Sequence, residues 1–138
     1  MKTEFDENLD TIECYPQDLM RVFLNIISNG MYAAHRRSSK EEGFAPEIAI
    51  SSRRDDGRVV IEVRDNGSGI PADVVEKIFI PFFTTKPAGE GTGLGLSLSY
   101  DIVVKQHGGD MRVTSEPGQF TIFAVSLPEI LPAESGAI

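Results

Sequence analysis

The sequence has no tryptophan, one cysteine and two histidines. The lone cysteine, Cys14, excludes an internal disulfide and any zinc site built from several thiolates, and it fits a reducing compartment. No apolar run approaches the roughly 18 residues that a membrane span needs, and the first residues are not followed by the apolar segment of a signal peptide. These absences predict a cytoplasmic protein without direct membrane contact.

Positive charge is also scarce. The 138 residues include 13 Lys and Arg against 21 Asp and Glu, which gives a formal net charge of -8. Proteins that bind nucleic acid usually present a basic face, so this balance argues against DNA or RNA as a partner. It leaves an anionic ligand open, because a few local cations and backbone N–H groups can hold one. The length fits one domain that buries a core without a metal or disulfide.

Apolar residues recur at spacings of three and four from Pro16 onward, and at spacings of two in several later segments. The turn signal Asp55-Asp56-Gly57 predicts a hairpin. In chain order, the predicted elements are a loop or short strand before Cys14, a helix to about Arg37, strands around 48–50 and 59–63, a short helix at about 73–79, a glycine-rich loop at 83–95, a helix at about 94–106, and strands at 111–115 and 121–127. This order predicts an α/β sandwich of two layers, in which helices cover one face of a sheet.

Four polar residues follow one stripe of the first predicted helix, beside its apolar face. They are Asn25, Asn29, Tyr32 and Arg36, at positions i, i+4, i+7 and i+11. A carboxamide oxygen is a hard ligand that suits Mg²⁺. Asparagine is also tolerated on a helix surface, and the stripe alone favours that simpler interpretation. Two poor helix formers in an otherwise good helix nevertheless point toward a function.

Asp65 begins a turn-rich segment directly after the run from Val59 to Val63, which is expected to be buried. An ordinary turn would explain Asp-Asn-Gly. A carboxylate at a strand end can also accept hydrogen bonds from an exocyclic amine, and Gly67 and Gly69 would let a flat ligand approach the backbone. Both interpretations remain open at this point.

The segment from Gly91 to Leu96 places three glycines just before a predicted helix. Glycine N–H groups at a helix start can bind phosphate, although a flexible surface loop is an equally good interpretation. The spacing matches neither the Walker A loop nor the Rossmann fingerprint. Lys86 lies just upstream and could meet a phosphate as a point charge.

The remaining candidates carry less chemistry. His35 and His107 lack the partners of a metal site, and we expect each to be a surface or capping residue. No serine stands in a recognisable arrangement with His and Asp, which argues against a hydrolase triad.

Together the motifs resemble the ATP-binding catalytic domain of bacterial two-component sensor histidine kinases. That family belongs to a superfamily with DNA gyrase, heat-shock chaperones and mismatch-repair ATPases. The matching segments are 25–29 (the N box), 65–70 (the first glycine box), 79–83 (the F box) and 91–96 (the second glycine box). The resemblance covers about residues 14–128. It implies a single catalytic domain over residues 1–138, cut from a longer parent chain, with a mixed, mostly antiparallel sheet covered by about three helices.

The resemblance implies ATP and Mg²⁺ as ligands. Asn29 would hold Mg²⁺, Asn25 and Lys86 would complete the catalytic set, and Asp65 would accept from the adenine N6 amine. The other nucleotide-binding residues that it implies are Tyr32, Arg36, Gly67, Gly69, Ile70, Phe79, Gly91, Thr92, Gly93, Leu94, Gly95 and Leu96. Residues from about 83 to 92 would form a mobile lid over the nucleotide.

The sequence departs from the family pattern at three places. Asn25 stands where the ATPases of the superfamily have a water-activating Glu, so hydrolysis is expected to be slow. Tyr32 stands where many of these kinases have Lys, whose charge Arg36 or Arg37 could replace. Phe120 stands in place of a glycine in the last glycine motif, where we expect a local structural change without loss of ATP binding.

The implied function is transfer of the ATP γ-phosphate to a histidine on a separate dimerisation domain, which then serves a response regulator. Neither His35 nor His107 has the acidic context of a phosphoacceptor, so we expect a mainly monomeric chain that does not phosphorylate itself. The alternatives are an anti-sigma-factor-like serine kinase, a degenerate docking module and a gyrase- or chaperone-like ATPase. Asn25 argues against the first of these, and the intact Asn29 and Asp65 argue against the second.

Overall fold

The computed structural model describes residues 2–5, 14–80 and 95–128, with the backbone alone for residues 2–5. The elements are β1 (Lys2–Phe5), α1 (Pro16–Lys40), β2 (Ile48–Asp55), β3 (Arg58–Asp65), α2 (Ala72–Val75), α3 (Gly95–Asp101), a π-helical turn (Ile102–Gln106), β4 (Asp110–Glu116) and β5 (Phe120–Pro128). Helix α1 begins at the predicted proline. Backbone N–H groups in the first helical turn have no partner within the helix, so the missing N–H of proline costs no hydrogen bond there.

The five strands form one sheet in the order β1-β2-β3-β5-β4. Among the described strands, β1 runs parallel to its neighbour β2 and the other pairs are antiparallel. The hairpin between β2 and β3 closes where predicted. Asp55 pairs with Arg58, and the two residues between them, Asp56 and Gly57, have φ angles of 50° and 79°. Positive φ at both positions is typical of a type I′ turn, which suits Asp-Gly.

Helices α1 and α3 and the π-helical turn cover one face of this sheet. Alternation along β5 directs Thr121, Phe123, Val125 and Leu127 into the layer between sheet and helices. The buried apolar residues of the core are Leu19, Val22, Ile26, Ile48, Val63, Ile78, Val103, Met111, Phe123, Val125 and Leu127. The predicted two-layer fold with a mixed, mostly antiparallel sheet is therefore confirmed.

Two helices end at different residues from those predicted. Helix α1 continues past Arg37 to Lys40, and its last turn accommodates Ser38 and Ser39, whose hydroxyls each donate to a carbonyl of the preceding turn at 2.8 Å. Polar composition alone suggested an earlier end. Helix α2 covers only Ala72–Val75 instead of reaching Phe79, and the backbone continues as turns closed by short-range hydrogen bonds such as Ile80 N–H to Lys77 O.

His107 occupies the C-cap of the π-helical turn, which confirms the capping alternative of the prediction, and it is buried instead of lying at the surface. Its side chain is 1% exposed. Nδ1 lies 2.9 Å from the Ile102 carbonyl oxygen, and Nε2 accepts the Tyr15 N–H at 3.0 Å. The ring therefore satisfies the Ile102 carbonyl of its own segment and the N–H of Tyr15, which is 92 residues away from His107 in sequence. It connects the end of the α3 segment to the residue before α1.

Within residues 14–80 and 95–128, no helix is long and apolar enough to cross a membrane.

Replacing His107 with Leu is expected to lower the free energy of unfolding by about 2 kcal/mol, because the partly buried Tyr15 N–H loses its acceptor. Urea denaturation measures this change. The matched control is His35→Leu, at an exposed position of α1, for which we expect a change within about 0.5 kcal/mol. Equal effects of the two substitutions would contradict the structural role of His107.

Candidate functional site

Asp65 ends strand β3 beneath helix α1 and is 3% exposed. The backbone N–H of Gly67 donates to its Oδ1 atom at 2.9 Å. On the helix side, a Cβ built on Gly30 would lie 3.2 Å from the Asp65 Cβ and 3.4 Å from Oδ2. The absence of a side chain at Gly30 thus lets α1 lie directly against the carboxylate.

Burial raises the pKa of Asp65 from 3.8 to about 6, and the hydrogen bond from Gly67 opposes this shift. Removal from water disfavours the ionised form, whereas an N–H donor favours it. Above about pH 6 the site therefore presents a buried, ionised hydrogen-bond acceptor.

Gly67 and Gly69 allow residues 65–70, here called the 65–70 loop, to lie against two other elements. A Cβ on Gly67 would lie 2.7 Å from the Cβ of Ala33 in α1. Gly69 has a φ of 75°, and a Cβ there would overlap the backbone of Glu116 in β4. Both glycines serve packing of the protein on itself, and a role in contacting a flat base stays a prediction.

Hydrogen bonds also fasten the 65–70 loop to the hairpin of β4 and β5. The Ile70 N–H donates to the Ser115 hydroxyl at 2.6 Å, and the Gly118 N–H donates to the Ser68 carbonyl at 2.6 Å. Thr121 of β5 is the strand partner of Asp65 in β3. The Thr121 hydroxyl oxygen lies 3.1 Å from that of Ser115. The loop is consequently held from the strand side as well as from α1.

Asn25 forms the contact between α1 and the start of α3. Its Nδ2 atom donates to the Ser99 hydroxyl at 3.1 Å. A Cβ on Gly95, the first residue of α3, would lie 2.5–2.9 Å from three atoms of the Asn25 amide. The glycine thus permits close approach of the α3 backbone to this side chain. The N box and the last glycine of the second glycine box meet here.

The predicted polar stripe continues along α1 from this contact. Asn29 and Tyr32 are half-buried, and Arg36 is exposed. The Arg36 guanidinium donates to the Tyr32 hydroxyl at 3.0 Å, and its central carbon lies 5.7 Å from the Tyr32 ring centroid. A positive charge therefore lies beside the tyrosine that replaces the usual lysine.

Residues 14–131 match the family model described as histidine kinase-, DNA gyrase B- and HSP90-like ATPase. The chain belongs to this family. It is 40% identical over 125 residues to the sensor histidine kinase ZraS of Salmonella typhimurium, covering 91% of this chain and 25% of ZraS.

The chain is also similar in structure to two histidine kinases whose structures have been solved. The catalytic domain of histidine kinase ThkA, in a nucleotide-free form, matches with a TM-score of 0.75 at 30% identity, covering 94% of this chain and 79% of that one. Full-length ShkA in complex with AMPPNP matches with a TM-score of 0.78 at 26% identity, covering 96% and 26%. The chain spans 25% or less of the length of the first curated relatives that it matches.

The fold brings several of the predicted site residues together beside helix α1. Asp65, Gly67, Gly69 and Ile70 form one loop beside α1, while Asn25, Gly95 and Leu96 lie at the junction of α1 and α3. Phe79 lies beside Tyr100, with ring centroids 5.0 Å apart, and packs against the core. Lys86, Gly91, Thr92, Gly93, Leu94 and the predicted lid at 83–92 lie outside the described residues.

Phe120 does not enter the site. Its side chain lies on the opposite face of the sheet, where the Arg64 guanidinium carbon is 4.5 Å from the ring centroid. The hairpin remains paired up to Glu116 and Phe120, so within this described hairpin the expected local change does not interrupt the ladder.

Among the described residues, the sequence patterns did not indicate three that hold the candidate site together, namely Ser115, Thr121 and the role of Arg37. Ser115 and Thr121 are inward-facing positions of β4 and β5, and alternation within those strands could have indicated them. Arg37 was considered only as a substitute for the lysine charge. Its guanidinium instead donates to backbone carbonyls of the 65–70 loop.

Asp65→Asn is expected to change how stability depends on pH. The pKa of Asp65 is raised in the folded state to about 6 from 3.8, so the contribution of this carboxyl to wild-type stability falls as pH rises through that window, and its full penalty is present above it. Asparagine lacks this penalty. Between pH 4 and pH 7 the stability of Asp65→Asn relative to wild type should therefore increase by roughly 2 kcal/mol.

Urea denaturation at several pH values measures the difference. The control is Asp73→Asn, at an exposed position, which should follow the wild-type pH dependence. If the free energies of unfolding of wild type and Asp65→Asn depended on pH in the same way, the raised pKa of the buried Asp65 carboxyl would be contradicted.

Proposed function

We propose that this chain is the catalytic domain of a sensor histidine kinase, with its core at residues 14–128. It binds Mg-ATP and donates the γ-phosphate to a histidine on a separate dimerisation domain. The observation that carries this proposal is the buried Asp65 carboxylate, placed beside α1 at the end of a strand, with the start of α3 packed on the same helix. Membership of the ATPase family and similarity to sensor kinases support it.

Asp65 provides recognition of the base. A buried carboxylate can accept a hydrogen bond from the N6 amine of adenine, and a low-dielectric surrounding strengthens that bond. Guanine presents an oxygen at the corresponding position, which would place two acceptors against each other. The same carboxylate thus favours adenine and disfavours guanine.

The residues on α1 fit a magnesium ion. Asn29 is half-buried on α1, one helical turn after Asn25, and Asn25 is the residue that lies against Gly95. An amide oxygen is a hard donor, and Mg²⁺ commonly takes few protein ligands together with phosphates and water. Asn29 would hold the ion and Asn25, through Ser99, would support that position. When bound, Mg²⁺ neutralises charge on the transferred phosphoryl group.

The remaining nucleotide contacts follow from the chain order. Tyr32 and Arg36 are proposed to contact the nucleotide further along the stripe, and Gly95 and Leu96 begin α3 beside Asn25. Lys86 and residues 91–94 are proposed to contact the phosphates from the segment that precedes α3, with residues 83–92 as a lid.

Asn25 favours transfer over hydrolysis. An amide does not take a proton from water at neutral pH, so this position provides no general base. Its Nδ2 atom already donates to Ser99. Phosphoryl transfer by this domain would therefore rely on placing ATP in line with an incoming imidazole and on neutralising charge.

The partners are proposed by the same reasoning. They are a dimerisation domain that carries the phosphoacceptor histidine and, through it, a response regulator. We further propose that the isolated chain is a cytoplasmic monomer without nucleic-acid or direct membrane contacts.

Calorimetric titration with AMPPNP, with and without Mg²⁺, tests the site. We expect saturable binding that Mg²⁺ strengthens, and a loss of about 10-fold or more in Asp65→Asn, because a hydrogen bond to a charged group disappears. Asp73→Asn is the control and should bind as wild type does. Urea denaturation of Asp65→Asn at the pH of the titration shows whether the variant is folded, and a folded variant with weakened binding excludes unfolding as the cause. No binding by wild type would contradict the proposal.

Phosphotransfer is tested by mixing the chain and labelled ATP with a separately purified helical dimerisation domain that carries a phosphoacceptor histidine. We expect phosphohistidine on that domain only when the chain, Mg²⁺ and ATP are all present. Label on His35 or His107 of this chain, or steady ATP turnover by the chain alone, would contradict transfer to a separate domain.

A further inference from the structure

Arg37 joins three parts of the fold through one guanidinium group. Its Nη1 atom lies 3.1 Å from the Asn66 carbonyl oxygen, 3.3 Å from that of Gly67 and 3.2 Å from that of Gln119. The first two carbonyls belong to the 65–70 loop, and the third belongs to the turn between β4 and β5. Helix α1 therefore holds both segments with one side chain.

The Arg37 side chain is itself fixed. It is 18% exposed and its Nε atom donates to Glu41, one helical turn later. The guanidinium carbon lies 4.4 Å from the centroid of the Phe44 ring. Stacking and a carboxylate partner restrict a planar group of this kind, so little further entropy is lost when it donates to the carbonyls.

The peptide between Asn66 and Gly67 is held at both ends. Its carbonyl oxygen accepts from Arg37, and its N–H donates to Oδ1 of Asp65. Hydrogen bonds in such a chain polarise one another, and each fixes the orientation of the next group. The charge of Arg37 is thus connected to the rotation of the Asp65 carboxylate through a single peptide plane.

We propose that Arg37 is a positioning residue for base recognition, which sets the orientation of the Asp65 carboxylate through the Asn66–Gly67 peptide. This inference rests on the proposed function, because it assigns Arg37 to the same nucleotide site. Arg37 acts on the base end of the ligand and not on the phosphates. Its loss therefore reduces adenine affinity and adenine-over-guanine selectivity, while the Mg²⁺-dependent gain in affinity and the rate at saturating ATP persist.

The test compares Arg37→Met, Arg37→Lys and the control Arg112→Met. Arg112 lies on β4 with an 82% exposed side chain paired to Asp110. Calorimetry without Mg²⁺ measures the dissociation constants of ADP and GDP for each variant. Arg37→Met is expected to weaken ADP binding about 10-fold and GDP binding less, so that the ADP-over-GDP ratio falls. Arg37→Lys restores part of the ratio, and Arg112→Met leaves it unchanged.

Partial unfolding of a variant would weaken ADP binding and GDP binding by the same factor. An ADP-over-GDP affinity ratio that stays at the wild-type value in both Arg37→Lys and Arg37→Met therefore overturns the inference. Hydrogen exchange at the Gly67 amide adds a readout that needs no nucleotide. Exchange should be faster in Arg37→Lys than in Arg112→Met, and equal rates would likewise overturn it. Failure of the wild-type chain to bind ADP would instead contradict the proposed function.

Discussion

The architecture around the site depends on keeping one carboxylate out of water. Asp65 is accommodated there because Gly30 and Gly67 leave room on both sides and because the Gly67 N–H donates to it. Burial still raises its pKa to about 6, so ionisation of this carboxyl at neutral pH lowers the stability of the free protein relative to the protonated form. A ligand that donates a hydrogen bond to this acceptor would offset that cost, which links recognition to stability.

Helix α1 is the element that organises the rest. One of its faces packs on the sheet, and the adjoining stripe carries Asn25, which meets the start of α3. Its last turns carry Arg37, which holds the 65–70 loop and the β4–β5 turn. Because these functions share one rigid helix, the predicted base-binding and magnesium-binding positions keep a fixed separation along it.

Much of this arrangement follows from local patterns in the sequence. Apolar spacing indicated α1, the Asp-Gly pair indicated the first hairpin, and the carboxylate after a buried strand indicated Asp65. The burial of the His107 ring could not be predicted in this way, because the ring accepts a hydrogen bond from the N–H of Tyr15, which is far away in sequence. Arg37 was also beyond local patterns, since its partners are backbone carbonyls whose positions are set only by the folded chain.

The ionised Asp65 carboxylate is proposed to receive the base of the nucleotide. Carbon NMR of the Asp65 side-chain carboxyl, followed through a pH titration of the free and the AMPPNP-bound chain, tests it most directly. In the free chain the midpoint should lie near pH 6, in agreement with the raised pKa. Nucleotide should lower it by one unit or more, on the order of 1.4 kcal/mol, because the base amine favours the ionised form. A midpoint near 4 in the free chain, or one that bound nucleotide leaves in place, would contradict the account.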